Sequence, residues 1–450
     1  MTTPAKSALS IPPYARGKQL AREIFHEALA TIDVRHAMRA KLKYEEGSLL
    51  AGGISHPLPR PPRVVAFGKA ANRMAAVLDE ILGGRIEAGV AVGPDEKAKK
   101  LDNFKYFVGG HPYPTASSLA GAQAALDLVS NSTPEDAVIF LVSGGGSALL
   151  AQPIDSSITL ADLVEFNRVL VTSSLPIEEI NVLRKHLSAV KGGRLAEGAF
   201  PARQLTIFIS DVPDNLPSMV ASGPTMPDES TAEQAYELAE RHNLVRQFPA
   251  NVRKFFEKRE LQETPKPGDP RFANSHYFSL LSNHDAVEAS RKAAEKLGFL
   301  TEIDGGEWDA DYQVVAKSNL AAVETLFKKH GGKPVCLVVG GEVTCPVTGP
   351  GRGGRNQAFA LFGAQLIAGE HRVVLSAGTD GRDGNSPTSG AVADGQTVSR
   401  ARGRGLDPAA YLAGSDSYSF FRTLGDTLDT GFTDNNVRDI RLWLDFGTSP

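Results

Sequence analysis

Short, continuous apolar runs punctuate this chain, and stretches of helical periodicity separate them. The runs fall at residues 64–67, 137–142, 205–209, 335–339 and 373–375. None alternates apolar with polar positions, so each suits a strand buried on both faces, as in a parallel sheet covered by helices. Between the runs lie amphipathic stretches. In the first, residues 18–32, Leu20, Ile24, Ala28 and Ile32 recur at four-residue steps, which lines one helix face. Others are centred on 70–82, 117–129 and 310–329. Strand–helix alternation of this kind predicts a doubly wound α/β architecture.

The pattern breaks at residues 260–271, a polar stretch holding three prolines. That composition reads as a linker. It predicts an N-terminal domain over 1–257, a linker over 258–272 and a smaller α/β C-terminal domain over 273–450. The first helix can pack on either domain.

Composition narrows the class. At 450 residues with 42% hydrophobic positions, the chain is long enough to bury about three quarters of its surface. A net charge of −4 argues against nucleic acid or an anionic membrane as a main partner, since either needs a basic surface. There is no run of 18 apolar residues, so no membrane span is expected. The only cysteines are Cys336 and Cys345. They make no disulfide framework and no zinc spacing, and a reducing compartment fits. Residues 1–22 lack the apolar core of a secretory signal, though no acidic residue precedes Glu23, as in transit peptides. The expected location is the cytoplasm.

In open parallel sheets, ligands sit beyond the carboxyl ends of the strands. After 64–67 comes Gly68-Lys69, a lysine at a strand end and helix start, where free N–H groups already attract anions. After 137–142 comes Ser143-Gly144-Gly145-Gly146-Ser147. Three glycines there let backbone N–H groups approach a phosphate or carboxylate closely. After 205–209 come Ser210, Asp211 and Asp214, which either hold Mg²⁺, accept an alcohol proton, or simply shape a turn. Ser222-Gly223-Pro224-Thr225 continues as a small polar loop. Arg184, Ser188 and Lys191 fall on one helix face, either as a solvated charge run or as cations for an acidic substrate. Beyond 335–339 a glycine-rich loop presents Arg352 and Arg355, whose guanidinium forks suit phosphate. Beyond 373–375 lie Asp380 and Asp383, ligand carboxylates or turn formers. Gly349, Gly351 and Gly354 match G-x-G-x-x-G, but about ten residues separate them from the strand, where a dinucleotide fingerprint turns at once. There is no Walker A lysine motif, kinase catalytic loop or nucleophile elbow.

Residues 64–71 (VVAFGKAA), 143–150 (SGGGSALL), 181–194 (NVLRKHLSAVKGGR), 210–224, 351–359 (GRGGRNQAF) and 376–393 (SAGTDGRDGNSPTSGAVA) together resemble one family, over roughly residues 17–440. This is the class of glycerate 2-kinases whose C-terminal domain is named for a multi-organism fragment rich in leucine. The resemblance implies transfer from ATP to D-glycerate to give 2-phosphoglycerate, with Mg²⁺. It implies a Rossmann-like N-terminal domain, a smaller C-terminal domain and a cleft between them. It implies a catalytic pair at Lys69 and Arg355, with Arg352 a close rival. One departure stands at residues 431–437, where Asp434 takes the place of a glycine common in the family.

The mechanism expected from these residues places phosphate groups on Gly68, Lys69, the 143–147 loop and Lys191. Arg352 and Arg355 neutralise charge on the transferring group, Asp211 serves as metal ligand or proton acceptor, and Asp380 is a second metal ligand. The alternative is NAD(P)H-dependent reduction of hydroxypyruvate, a label that members of this family have carried. It would draw on the glycine match and on a histidine such as His111, His186 or His284. A non-enzymatic sensor of sugar acids is a third class, disfavoured because every motif residue is present.

Overall fold

The computed structural model describes residues 14–95, 100–173, 175–213, 216–306 and 308–447. The chain divides into two compact units. One is Val34–Leu280; the other joins the residues up to Asp33 with those from Leu281 onward. Both are α/β. No described helix is long and apolar enough to cross a membrane.

The Val34–Leu280 unit is built on a six-stranded sheet. Its strands run in the order Phe104–Val108, Ala88–Gly93, Arg63–Phe67, Ala137–Val142, Arg203–Ile209, Ser275–Leu281, and the first five are parallel. The two central strands are the continuous apolar runs, and from Val64 to Phe67 and Ala137 to Val142 every residue is buried. Their register sets Phe67 beside both Val92 and Val142. Three strands therefore end level, and the residues after them meet on one sheet edge. A second core in this unit is helical, with Phe166 against Phe248 at 5.1 Å between ring centres. A three-stranded antiparallel sheet over 42–57 precedes the main sheet.

The other unit carries a mixed sheet in the order Leu300–Asp304, Val335–Val339, Asp439–Asp445, Arg372–Gly378, Gly390–Asp394, Thr427–Leu428. Only the first pair is parallel. Asp439–Asp445 runs antiparallel to both of its neighbours. The expectation of a parallel sheet is therefore corrected for this unit. Its strands still read as unbroken apolar runs because helices cover them. Tyr312–Lys329 and Arg355–Leu366 share a core with Trp443 and Val374, while Tyr14–Thr31 packs Gly17 against Val373 and Phe446. Two-faced burial, not strand direction, erases the alternation.

The 258–272 stretch is not a break between the units. Leu261 and Thr264 are buried. Arg194 donates to the Gln262 carbonyl at 3.0 Å, and Thr264 Oγ1 donates to Asp228 at 2.9 Å. The polar groups that suggested a solvated linker are satisfied inside the unit. The strand after them, Ser275–Leu281, closes the first sheet, not a second domain, and the boundary lies at Leu280. The first helix belongs with the C-terminal residues.

Candidate functional site

Level strand ends bring Gly68-Lys69 alongside Ser143-Gly144. The Ser143 N–H donates to the Phe67 carbonyl at 3.1 Å, and the Lys69 N–H to that of Gly144 at 2.9 Å. Ser143 Oγ accepts the Ala70 N–H at 3.0 Å, satisfying a donor at the start of helix Ala71–Leu82. Gly68 has φ +113°, and a Cβ there would stand 2.3 Å from Ser143 Oγ. Gly68 and Ser143 thus build the loop by close approach.

Gly145, at φ +82°, forms the floor. A Cβ at this position would meet His111 Cδ2 at 3.1 Å and Lys69 Cγ at 3.3 Å, so both side chains rise directly over it. Burial and the Lys69 charge push the His111 pKa below its ordinary value, with Asp211 opposing them. Lys69, His111 and Asp211 are therefore electrostatic neighbours at the edge of the glycine loop. The sequence named His111 only as a hydride-transfer histidine, because its strand, Phe104–Val108, is mostly unburied and no apolar run announces it. Asp214, the other carboxylate of that loop, lies outside the described residues.

Ser147, at the far end of the loop, hydrogen-bonds Ser222 at 2.8 Å, and Ser222 donates to Asn181 at 2.9 Å. Gly146 leaves room for Ala221, 2.6 Å from its would-be Cβ. Ala221 and Ser222 are both left-handed, at φ +53° and +63°, a conformation that costs non-glycine residues about 1–2 kcal/mol each. Lys191 is buried, its Nζ donating to the Leu150 carbonyl at 3.2 Å. Burial, helped by the charge on Arg184, pulls its pKa down to about 7.

In the other unit the glycine loop is held on all sides. The Gly351 N–H donates to Gly414, that of Arg352 to Asp416 and that of Gly353 to Asn385, at 3.0, 3.0 and 2.8 Å. The Arg352 guanidinium lies 4.8 Å from the Tyr418 ring centre. Arg355 opens helix Arg355–Leu366, and Asp383 accepts the next two helical N–H groups at 3.0 and 2.8 Å. Arg355 does not reach outward as a free fork. Nε and Nη2 hold Asp439 at 2.7 and 2.9 Å, and Nη1 lies 2.9 Å from Glu342. Burial opposes, but Asp439, with the charges of Asp383 and Asp380, raises its pKa. Asp380 accepts the Arg382 N–H at 3.0 Å, the contact of a turn former.

Beside Arg355 opens a cavity of about 500 Å³, within the range of small-molecule sites. Tyr312, Phe362 and Leu412 give it an apolar wall, and Gly353, Gly354 and Arg355 a polar one. Nothing in the sequence pattern announced it. Among the described residues, no three His, Cys, Asp or Glu side chains converge as a metal site. Mg²⁺ sites on phosphates commonly use only one or two carboxylates, so the absence of such a cluster among the described residues does not bear on Asp211 in one unit or Asp380 in the other.

Comparison with known proteins places this geometry. A family model described as "Domain of unknown function (DUF4147)" matches residues 20–257, and the MOFRL family model matches 335–439. The chain is 36% identical over 385 residues to D-glycerate 2-kinase of Thermotoga maritima, covering 85% of this chain and 90% of the relative. An Agrobacterium vitis protein with a provisional hydroxypyruvate reductase name is 33% identical over 437 residues, covering 95% of this chain and 94% of its own. The crystal structure of glycerate kinase from Thermotoga maritima superposes with a TM-score of 0.83 at 33% identity, covering 96% of this chain and all of that one.

Proposed function

The chain belongs to the glycerate 2-kinase family, and from that premise we infer that it transfers the γ-phosphoryl group of ATP to the 2-hydroxyl of D-glycerate. The observation that carries this reading is the gathering of Lys69 and His111 over the Gly145 floor, with the Asp211 charge felt at His111. It puts a cation, a neutral imidazole and a carboxylate at strand ends where backbone N–H groups suit anions.

Phosphoryl transfer depends mainly on positioning and charge neutralisation. Lys69 is assigned to the phosphate oxygens, over the loop of Gly68 and Ser143 to Ser147. Arg355, with Arg352 beside it, is assigned to the charge of the transferring group. Asp439 and Glu342 fix the Arg355 fork in place, so no side-chain ordering is needed when charge develops. Asp211 accepts the proton of the 2-hydroxyl as that oxygen bonds to phosphorus and the bond to ADP breaks. Neutral His111 donates or accepts a hydrogen bond without adding charge beside Lys69. Mg²⁺, when bound, would neutralise phosphate charge; Asp380 is the carboxylate assigned to it, and Asp211 is the alternative ligand in place of its role as proton acceptor. The cytoplasm is the setting that fits these substrates.

The reductase alternative draws no support from its glycine match. The loop between strand Glu342–Thr344 and helix Arg355–Leu366 spans 345–354, whereas a dinucleotide fold turns directly from strand to helix. The test is phosphorus NMR of the protein with ATP, Mg²⁺ and D-glycerate. A 2-phosphoglycerate resonance is expected. A 3-phosphoglycerate resonance, or NADH oxidation by hydroxypyruvate without phosphoryl transfer, overturns the assignment.

A further inference from the structure

Helix Ile177–His186 and the turn after it place two cations side by side, Arg184 half-buried and Lys191 buried. The Arg184 charge is felt at the Lys191 ammonium. Neither forms an ion pair with any carboxylate among the described residues. Arg184 donates from Nε to Asn167 at 3.0 Å, and Lys191 to the Leu150 carbonyl. Their helix neighbours are treated differently. Lys185 is paired with Asp228 at 2.9 Å, and Arg194 donates to the carbonyls of Lys185 and Gln262. Burying cations without a counter-ion is costly, so this arrangement calls for an anion from outside.

Both cations line one narrow slot together with Ser147, Ser188, Gln152 and Asn167. Its volume is about 10 Å³, room for one water-sized group. A second observation points the same way. The side-chain oxygen of Gln152 is buried and has no hydrogen-bond partner. If the amide is turned over, an unpaired NH₂ takes its place. In that orientation the NH₂ donates to an oxygen held between the two cations.

We propose that this slot is the acceptor's recognition subsite: Arg184, Lys191 and the turned-over Gln152 amide converge on one carboxylate oxygen of the hydroxy acid. The inference rests on the kinase reading above and deepens it. The slot admits one oxygen of an anion, and the KM of each substrate tells which anion supplies it. Ser147 joins it to the glycine loop, so the acid lies at the end of the phosphate-binding turn. This subsite selects small 2-hydroxy acids over polyols of similar size, because a polyol leaves both cations unpaired.

The site also predicts proton uptake. Arg184 is the one other charged residue lining the slot. Burial lowers the Lys191 pKa toward about 7 in the empty slot, and a carboxylate held beside it raises it again. Binding of D-glycerate then takes up close to one proton at pH 8, read by calorimetry in buffers of different ionisation enthalpy. Lys191→Met keeps the stem and removes the charge. Its KM for D-glycerate should rise roughly 10- to 100-fold, the usual effect of losing a hydrogen bond to a charged group. Its KM for ATP should stay within about twofold, and the proton uptake should vanish. Arg184→Gln should share the first two effects.

A rise in the KM for ATP instead assigns the slot to nucleotide phosphate and overturns the proposal. Unchanged KM values for both substrates make Lys191 a structural lysine and overturn it equally. If Lys191→Met does not fold, buffer-independent heats for the wild type refute the idea alone. Absence of any wild-type turnover of D-glycerate refutes the kinase reading itself, a result distinct from an active wild type with indifferent variants.

Discussion

Asp439 grips Arg355 with both carboxylate oxygens, Oδ2 on Nε at 2.7 Å and Oδ1 on Nη2 at 2.9 Å. The carboxylate is fully buried, and Asn356 also donates to it at 3.0 Å. Removing Arg355 outright therefore strands a buried charge, which typically costs about 3–5 kcal/mol. Arg355→Ala should lose activity partly by losing stability. Arg355→Lys is the cleaner variant, because it keeps the charge and gives up the fork. Its turnover should fall about 100-fold or more, with a much smaller loss in urea-melt midpoint than Arg355→Ala. Near-normal turnover in Arg355→Lys would remove Arg355 from the mechanism.

Lys69 is half-buried and stands over Gly145 with no part in the core. Lys69→Met should reduce kcat about 100- to 1000-fold while the thermal midpoint stays within a degree or two of wild type. Full activity in this variant would refute its assignment.

Gly68 and Gly145 should separate stability from chemistry. At Gly68 the left-handed backbone and the 2.3 Å approach to Ser143 Oγ act together, so Gly68→Ala should cost about 2–4 kcal/mol in denaturant melts. At Gly145 the neighbours are two side chains able to yield. Gly145→Ala should cost only about 1–2 kcal/mol, but it displaces Lys69 and His111 and should lower kcat well beyond what that loss explains. Equal melts for the two variants would contradict this distinction.

Lys191 should leave a mark on stability as well as on binding. Its folded pKa of about 7 lies below the unfolded value of 10.5. Between those values the unfolded chain binds more protons, so stability rises with pH across that window. Below pH 7 both states carry the charge, and the burial penalty is present in full. Lys191→Met should therefore be more stable than wild type at pH 6, on the order of a few kcal/mol. The difference should shrink toward pH 10. A gap independent of pH, measured by urea melts at both ends, would show that the ammonium is not what burial penalises.

Much of the first unit was legible because its chemistry follows continuous apolar runs. The strand ends at Phe67 and Val142 led to Lys69 and the 143–147 loop, which lie side by side. His111 was not legible as their neighbour, since it reaches them from a sheet-edge strand with a mixed pattern. In the second unit, Asp439–Asp445 hid a central strand. Asp439, Arg441 and Asp445 make it look solvated, yet all three are buried. With that strand missing, neither the antiparallel sheet nor the partner of Arg355 was visible. The 258–272 stretch misled in the opposite sense, because proline and polar residues mark a linker only when water satisfies them. Here Asp228 and Arg194 do so. The Arg184–Lys191 face was legible as a pattern, but only burial distinguishes an anion slot from a solvated helix.

The order in which the chain is made gives the position of Asp439–Asp445 another significance. This strand sits between Val335–Val339 and Arg372–Gly378, so the second sheet stays divided until residues 439–445 have left the ribosome. Helix Tyr14–Thr31, made before any of Val34–Leu280, belongs to that late-forming unit. Its apolar stripe of Leu20, Ile24, Phe25 and Ala28 waits while the whole of Val34–Leu280 is translated, roughly ten to fifty seconds at ordinary elongation rates. Until that sheet is made, the stripe has no core of its own unit to enter. That interval is when a chaperone, or another nascent copy, has its best opportunity to hold it.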